Sequence, residues 1–202
     1  MPNALLIDFD GVLRQWPDSP DWPVQFEITE AEIRGVAFTP TLLQKVILGV
    51  VPDEAWRAAI VTGLARSHGE SQSQRAVDLW SRSAGVLVPE VAELLRRLPA
   101  SFRVVLATNA TSRLPLDMES LGLSHRFHAV ANSSRLGVAK PDPAFFHAAL
   151  QLAGVAPADA LFVDDTLENV SSASRLGIAS HHFRSPSLMI AFLEQNNVLV
   201  GA

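Results

Sequence analysis

Three continuous, mostly apolar runs, each ending in polar residues, constrain the fold of this chain more than any other feature. They cover Ala4–Phe9, Arg103–Thr108 and Ala160–Asp164. A strand with one face in water alternates apolar and polar residues. These runs do not alternate, which is typical of strands buried on both faces of a parallel sheet. Two weaker runs, His128–Asn132 and Ile178–Phe183, extend the prediction to five strands.

Helical patterns separate the predicted strands. The segment Pro89–Leu98 repeats apolar residues at helical spacing and begins with a proline, which suits the first turn of a helix. Asp142 can cap a second helix that starts at Pro143, and a third helix, Leu167–Leu176, can stop at Gly177. Strands that alternate with helices predict the α/β class, with a parallel sheet doubly wound by helices on both faces.

Roughly ninety residues separate the first two predicted strands, far more than an ordinary connection contains. Helical patterns in this insert run from Thr39 to about Leu48, from Pro52 to about His68 and from Ser71 to Arg82. Strand signals are weak there, so a cap built from strands is not expected. We therefore predict an α/β core domain formed by residues 1–14 and 87–202, and an inserted helical cap domain formed by residues 15–86.

The composition of the 202-residue chain excludes several classes of protein. Its net charge is −5 and its basic residues are scattered, so we expect no surface for nucleic acid. The absence of cysteine excludes disulfides and cysteine nucleophiles. No apolar run reaches the length of a membrane span, and Ala4–Ile7 is too short for a signal peptide. We expect a cytoplasmic protein that does not bind membranes, and the sequence carries no indication of its oligomeric state.

Polar side chains stand where the predicted strands end, and a lysine precedes one of the helices. These residues are Asp8, Asp10, Thr108, Asn109, Lys140, Asp164 and Asp165. Because the carboxyl ends of parallel strands meet at one edge of an open sheet, we expect these side chains to surround one crevice. Four carboxylates in one crevice repel one another unless a cation lies between them. A ligand set made only of oxygen atoms favours magnesium or manganese.

The same residues occur in strings that resemble the four motifs of the haloacid dehalogenase (HAD) superfamily. The strings are Leu5-Leu6-Ile7-Asp8-Phe9-Asp10-Gly11-Val12-Leu13, Ala107-Thr108-Asn109, Lys140-Pro141 and Phe162-Val163-Asp164-Asp165 through Asn169. They follow the order of that superfamily across residues 5–169. The insert after the first string is similar to the helical cap of the branch that contains haloacid dehalogenases and phosphoglycolate-phosphatase-like enzymes. Asn169 departs from the pattern, because many members have a second aspartate there.

The resemblance implies a magnesium-dependent phosphatase that hydrolyses a small phosphorylated metabolite. Asp8 is the implied nucleophile, forming an aspartyl-phosphate, and Asp10 the implied general acid and base. Mg²⁺ would be bound by Asp8, by the backbone carbonyl of Asp10 and by Asp165, with Asp164 as a ligand or a supporting group. Three further residues are expected to stabilise the phosphoryl group, Lys140 through its charge and Thr108 and Asn109 through hydrogen bonds.

Three other functions remain open at this point. A 2-haloacid dehalogenase attacks carbon and needs no magnesium, but Asp10 argues against it because that reaction does not need an acid at this position. A mutase similar to β-phosphoglucomutase would return the phosphoryl group to a second hydroxyl, and the difference lies in how the cap controls water. A non-catalytic scaffold would have no use for the full set of polar residues. The segment that contains Trp16 and Trp22 either stacks on a substrate or packs a hinge loop.

Overall fold

The protein is described by a computed structural model over residues 2–16 and 27–199. Trp22, one of the two tryptophans in the segment discussed above, lies outside these residues. Within them, five parallel strands form the central sheet. They are β1 (Ala4–Ile7), β4 (Arg103–Thr108), β5 (Ala129–Asn132), β6 (Ala160–Asp164) and β7 (Ala179–His182), arranged in the order β5-β4-β1-β6-β7. The parallel five-stranded sheet confirms the prediction, with strand ends that differ by one or two residues.

The predicted insert contains four helices in the described residues. They are α1 (Glu30–Ala37), α2 (Pro40–Ile47), α3 (Asp53–His68) and α4 (Glu70–Trp80). The last three correspond to the predicted helices, and α1 was not predicted. The helices share a hydrophobic core of their own, which includes Ile33, Val46, Ile60, Leu64 and Val77.

Two short strands connect the helical insert with the sheet domain. β2 (Arg14–Gln15) pairs antiparallel with β3 (Val86–Leu87). Both predicted boundaries of the cap domain, after residue 14 and after residue 86, fall inside this pair. The division of the chain into a core and a cap domain therefore stays our proposal, and it is supported by the separate hydrophobic core of the insert.

Helices cover both faces of the five-stranded sheet. One face packs against α5 (Pro89–Arg97), α6 (Leu114–Ser120) and α10 (Pro186–Gln195), and the other against α7 (Ser133–Leu136), α8 (Pro143–Ala153) and α9 (Leu167–Arg175). Neighbouring residues of a strand point to opposite faces. Leu5 and Ile7 accordingly belong to the first layer, and Leu6 to the second, all without solvent exposure. This arrangement confirms the doubly wound α/β fold and explains why the strand sequences are continuously apolar.

None of the helices in the described ranges is both long enough and apolar enough to span a membrane.

Candidate active site

Lys140 lies at the centre of the polar residues that follow the strands. Its ammonium nitrogen Nζ is 2.8 Å from Oδ1 of Asp8 and 2.6 Å from Oδ2 of Asp164. Asp8 follows β1 and Asp164 ends β6, and these strands are neighbours in the sheet. All three side chains are almost completely buried. The predicted convergence of strand ends thus brings two carboxylates and one cation into direct contact.

Asn109 fixes the backbone of Lys140 from the neighbouring strand. Its amide nitrogen Nδ2 donates to the carbonyl of Lys140 at 2.8 Å, and its Oδ1 accepts from the Lys140 N–H at 2.8 Å. On the other side of the lysine, Oγ of Ser172 donates to the carbonyl of Pro141 at 2.6 Å, and the Lys140–Pro141 peptide bond is cis. Asn109 therefore positions the lysine in this structure, while its role as a donor to substrate stays a prediction.

Asp164 is occupied by hydrogen bonds on both of its oxygens. Oδ1 accepts from the N–H of Thr166 at 2.8 Å and from Nδ2 of Asn169 at 3.0 Å. Oδ2 accepts from Nζ of Lys140 at 2.6 Å and from the same Asn169 nitrogen at 3.1 Å. Of the two roles open to Asp164, these four hydrogen bonds from three donors favour support for Lys140 over direct ligation of a metal. Asn169, where the family often has an aspartate, acts here as a hydrogen-bond donor to Asp164.

Asp165 completes a group of carboxylates that could hold a metal ion. One oxygen from each of Asp8, Asp164 and Asp165 lies within 4.8 Å of the others. Gly11 has φ +78°, and a methyl group at this position would overlap the Asp165 carboxylate. Glycine is required there both by its backbone conformation and by the close approach of the carboxylate. This oxygen-only donor set fits a hard divalent cation such as Mg²⁺.

The electrostatics of the group also fit a cation. Burial raises the pKa of Asp8 to about 7, with a further increase from Asp164 and a partial decrease from Lys140. Burial, together with the charge of Asp164, raises the pKa of Asp165 as well. Burial alone would lower the pKa of Lys140, but the charges of Asp8 and Asp164 raise it. A divalent cation would favour the ionised form of both Asp8 and Asp165.

Asp10 is held by the side chains of Arg14 and Trp16. Its Oδ1 accepts from Nε of Arg14 at 2.7 Å and from Nε1 of Trp16 at 2.9 Å. Its Oδ2 accepts from Nη2 of Arg14 at 2.9 Å. Strand β1 ends before Asp8, and the turn that follows is closed by the hydrogen bond from the Gly11 N–H to the carbonyl of Arg14. The direction of the Asp10 carboxylate is therefore set by this turn, and not by the alternation of side chains along a strand.

Arg14 is the principal residue of the site that sequence reasoning missed. It is 4% exposed, and its Nη1 donates to Asp117 Oδ2 at 2.9 Å and to the carbonyl of Ala84 at 3.2 Å. Its guanidinium carbon is 4.1 Å from the centre of the Phe9 ring and 4.5 Å from that of Trp16. A charged residue next to the apolar Val12-Leu13 was the available signal, because an arginine so close to a buried segment requires partners.

The start of α3 connects the helical insert with the loop that follows β4. The carboxylate of Asp53 accepts from Oγ1 of Thr111 at 2.7 Å and from the guanidinium of Arg57. The N–H of Asp53 donates to Oγ of Ser112 at 2.9 Å. Asp53 is only 3% exposed. These bonds hold the insert above the ends of the strands.

A cavity of about 340 Å³ lies between the insert and the sheet domain. Asp10 and Asn109 line it on the side of the reaction centre, and Asp53 and Trp56 are among the residues that line it on the side of the insert. Thr108, the last residue of β4, is 1% exposed and lies one residue before Asn109. The structure thus brings the predicted residues to one end of the sheet, and two of them, Asp10 and Asn109, line a cavity of the size that small molecules occupy.

Comparison with known proteins agrees with this geometry. The model of the family described as haloacid dehalogenase-like hydrolase matches residues 2–177. The chain is 28% identical to the phosphoglycolate phosphatase of Pseudomonas syringae pv. tomato over 199 residues, which cover 89% of this chain and 68% of that protein.

Two solved structures show the same fold. One is a HAD family enzyme of Bacteroides thetaiotaomicron in complex with magnesium and inorganic phosphate, with TM-score 0.70 and 21% identity over 91% of this chain and 95% of that one. The other is the L-2-haloacid dehalogenase of Xanthobacter autotrophicus with chloropropionic acid covalently bound. Its TM-score is 0.62 and its identity 19%, over 99% of this chain and 85% of that one.

Proposed function

This chain belongs to the haloacid dehalogenase-like hydrolases, and we propose that it is a Mg²⁺-dependent phosphatase that cleaves a small phosphate monoester through an aspartyl-phosphate on Asp8. The observation that carries the proposal is that Lys140 contacts Asp8 beside Asp165, and that Asp10, two residues after Asp8, lines the cavity. The first three provide a nucleophile and positive charge, and Asp10 provides a proton.

Charge neutralisation is the first requirement of this reaction. At ~4 Å and an effective dielectric constant near 20, each pair of unit charges costs about 4 kcal/mol, so a carboxylate that approaches a phosphate dianion meets roughly 8 kcal/mol. That barrier corresponds to about six decades in rate. Lys140, whose pKa is raised by Asp8 and Asp164, carries the positive charge that opposes it.

The metal would be held by the carboxylates of Asp8 and Asp165 and by the backbone carbonyl of Asp10. Gly11 leaves room for the Asp165 carboxylate beside the turn. A bound Mg²⁺ would supply further positive charge to the phosphoryl oxygens and hold the substrate against Asp8. Thr108 and Asn109, at the end of β4, would donate hydrogen bonds to the same phosphoryl group.

The two aspartates of the first motif then divide the chemistry. An oxygen of Asp8 attacks phosphorus, the bond from phosphorus to the alcohol oxygen breaks, and Asp10 gives its proton to that oxygen. In the second step Asp10 takes a proton from water, whose oxygen attacks the aspartyl-phosphate. Inorganic phosphate leaves and the Asp8 carboxylate is restored. Oδ2 of Asp10 accepts a single hydrogen bond from the described residues, so it is the oxygen with room for the proton that is transferred.

The dehalogenase and mutase reactions can each be distinguished from phosphate hydrolysis by an assay. A dehalogenase would release halide from a 2-haloacid in the presence of chelator. A mutase would transfer the phosphoryl group to a second hydroxyl, whereas a phosphatase incorporates oxygen from labelled water into the phosphate that it releases. The position of Asp10 beside the cavity supports a reaction that requires proton transfer to a leaving group.

The proposal is tested by assaying phosphate release from a panel of phosphate monoesters with Mg²⁺ and with chelator. Activity should appear with Mg²⁺ alone, and Asp8→Asn should abolish it because an amide cannot form the acyl-phosphate. Asp78→Asn, on the exposed side of α4, is the matched control and should retain full activity. Activity of Asp8→Asn above about a thousandth of the wild-type rate would overturn the assignment of the nucleophile.

A further inference from the structure

Four aromatic side chains line the cavity beside Asp10, and we call them the aromatic wall: Trp16, Phe38, Trp56 and Trp80. Three of the four tryptophans of the chain therefore lie at one cavity. The ring of Phe38 is 6.4 Å from those of Trp56 and Trp80, and these two are 5.8 Å apart. These contacts between rings from α3, α4 and the end of α1 fix three of the four members of the aromatic wall in place.

Two members of the aromatic wall are exposed although a hydrophobic core is close to them. Phe38 is 44% exposed and Trp16 is 42% exposed, whereas Ile33 and Ile60 in the core of the insert are fully buried. Exposed rings inside a concave site are typical of a surface that a ligand covers. The natural occupant of this surface is therefore apolar where it meets the rings.

Trp16 places the aromatic wall next to the chemistry. Its Nε1 donates to Oδ1 of Asp10 at 2.9 Å, and the guanidinium of Arg14 packs against its ring. A group that receives a proton from Asp10 must come within ~2.6–3.2 Å of that carboxylate. The carbon atoms attached to this oxygen consequently begin beside the Trp16 ring.

Two carboxylates of the cavity, Asp53 and Asp117, are paired with arginines, whereas Nη1 of Arg57 has no hydrogen-bond partner among the described residues. Asp53 accepts from Arg57 and Thr111, and Asp117 accepts from Arg14 and Arg113. A sugar with several hydroxyls would need partners that are not already engaged in this way. The volume of about 340 Å³ lies at the lower end of the range for small-molecule sites, which suits a single ring system.

From these four observations we propose that the substrate is a phosphate ester whose leaving alcohol carries an aromatic ring, and that this ring packs against the aromatic wall. The inference rests on the proposed phosphatase function and adds the class of substrate to it. Phe38 is then a residue that determines specificity, because its ring is exposed in the cavity and takes no part in the proposed chemistry.

The test measures the activity of the wild-type protein, with Mg²⁺, on three esters: benzyl phosphate, cyclohexylmethyl phosphate and phosphoglycolate. The first two release primary alcohols of similar size and differ in the aromaticity of the ring. We expect kcat/KM for benzyl phosphate to exceed that for cyclohexylmethyl phosphate about three- to tenfold, the range of an aromatic contact. Phosphoglycolate, which has no apolar part, should be the poorest of the three.

Phe38→Ala should reduce the ratio between benzyl and cyclohexylmethyl phosphate towards one, and Phe38→Tyr should retain it. Leu152→Ala is the matched control, because Leu152 is also 44% exposed but lies on α8, away from the cavity. Equal kcat/KM values for the two ring esters, a ratio that survives Phe38→Ala, or a preference for phosphoglycolate would overturn the inference and leave the phosphatase function intact.

A binding measurement separates failure of the inference from failure of the proposed function. Asp8→Asn lacks the nucleophile, so benzyl phosphate should bind to it without being cleaved and should change the fluorescence of the tryptophans in the aromatic wall. Combining it with Phe38→Ala should weaken this binding. Binding of benzyl phosphate, with no hydrolysis of any of the three esters by the wild type, would overturn the phosphatase assignment alone. Hydrolysis of phosphoglycolate without any binding of benzyl phosphate would overturn the aromatic assignment alone.

Discussion

At the scale of single residues, Asp10 is the side chain whose surroundings say most about its role. A carboxylate offers about four positions for hydrogen bonds, and two donors from Arg14 and one from Trp16 occupy three of them. Arg14 is in turn held by Asp117. A carboxylate fixed from several sides is suited to proton transfer along one direction, towards the cavity.

Asp10→Asn should therefore affect the two chemical steps differently. A nitrophenyl ester needs little protonation of its leaving oxygen, so formation of the aspartyl-phosphate should be slowed less than with an alkyl ester. Hydrolysis of that intermediate lacks its base, which should slow the second step about 10²–10⁴-fold. Pre-steady-state kinetics should show a burst of nitrophenol followed by slow turnover.

Asparagine has a single side-chain oxygen, so Asp10→Asn cannot accept both hydrogen bonds from Arg14. The free energy of unfolding of this variant should therefore be measured in parallel. Magnesium affinity should remain close to that of the wild type, because the backbone carbonyl is retained. Equal rate losses for both esters, without a burst and with weakened magnesium binding, would identify Asp10 as a metal ligand and not as the acid.

At the scale of the elements, local hydrogen bonds define the start of helix α1, which contributes Arg34 to the lining of the cavity. Thr29 caps it, with Oγ1 accepting from the Glu32 N–H at 3.1 Å, while Oε2 of Glu32 accepts from the Thr29 N–H at 2.7 Å. The backbone hydrogen bond lowers the pKa of Glu32. The Thr-x-x-Glu spacing of this capping box is readable from the sequence, and it was the signal that would have predicted α1.

Thr29→Ala should lower the free energy of unfolding by about 1 kcal/mol, because the N–H of Glu32 loses its side-chain acceptor. Thr62→Ala is the control, since Thr62 is exposed inside α3, where its hydroxyl donates to the carbonyl of Ala58. Urea unfolding followed by circular dichroism measures both changes. If Thr62→Ala lowered the free energy of unfolding as much as Thr29→Ala, the cap would contribute nothing specific to stability.

At the scale of the whole molecule, the sheet order decides which residues meet. β1 lies between β4 and β6, so the residues that follow these three strands share one edge. Asp8, Thr108 and Asp164 come from segments that are far apart in sequence. Asp165 directly follows Asp164, so a ligand that binds Asp8 and Asp165 ties the ends of β1 and β6 together and should stabilise the fold.

Magnesium should accordingly raise the free energy of unfolding, by ~2.7 kcal/mol at a concentration 100-fold above its dissociation constant. The gain should depend on pH. Since the pKa of Asp8 without metal is about 7, the carboxyl is mostly protonated at lower pH, and binding of the metal must then displace the proton. Stabilisation should thus increase as pH rises to about 7 and level off above it.

Thermal unfolding with and without Mg²⁺, at about pH 5.5 and about pH 8, measures this difference. Asp165→Asn should remove most of the stabilisation at both values, and Asp159→Asn, outside the site, should leave it unchanged. If Mg²⁺ raised the unfolding temperature equally at the two pH values, the role of a buried, protonated Asp8 would be contradicted.

Much of the fold could be predicted because its signals are local. Leu5, Leu6 and Ile7 are apolar in succession because β1 is buried on both faces, and that pattern is visible in the sequence alone. The start of α8 is equally local: Pro143 stands in its first turn, and Oδ1 of Asp142 caps the helix by accepting from the Ala144 N–H at 2.8 Å. Helices α6 and α10 were not predicted. Ser185 caps α10 through the Leu188 N–H, a signal as local as those that succeeded.

The sequence by itself determined the α/β class, the parallel strands and the group of polar residues at their ends. Burial on both faces leaves no alternation, and parallel strands bring their carboxyl ends to one edge. Only the tertiary structure decided that Asn109 holds the backbone of Lys140 and that Asp164 is occupied by hydrogen bonds. It also decided that Arg14 joins Asp10 to Asp117, which lies 103 positions after Arg14. Contacts between side chains so distant along the chain leave no periodic pattern. They follow from how helices and turns pack around the cavity, and that packing also assembled the aromatic wall from segments with no common motif.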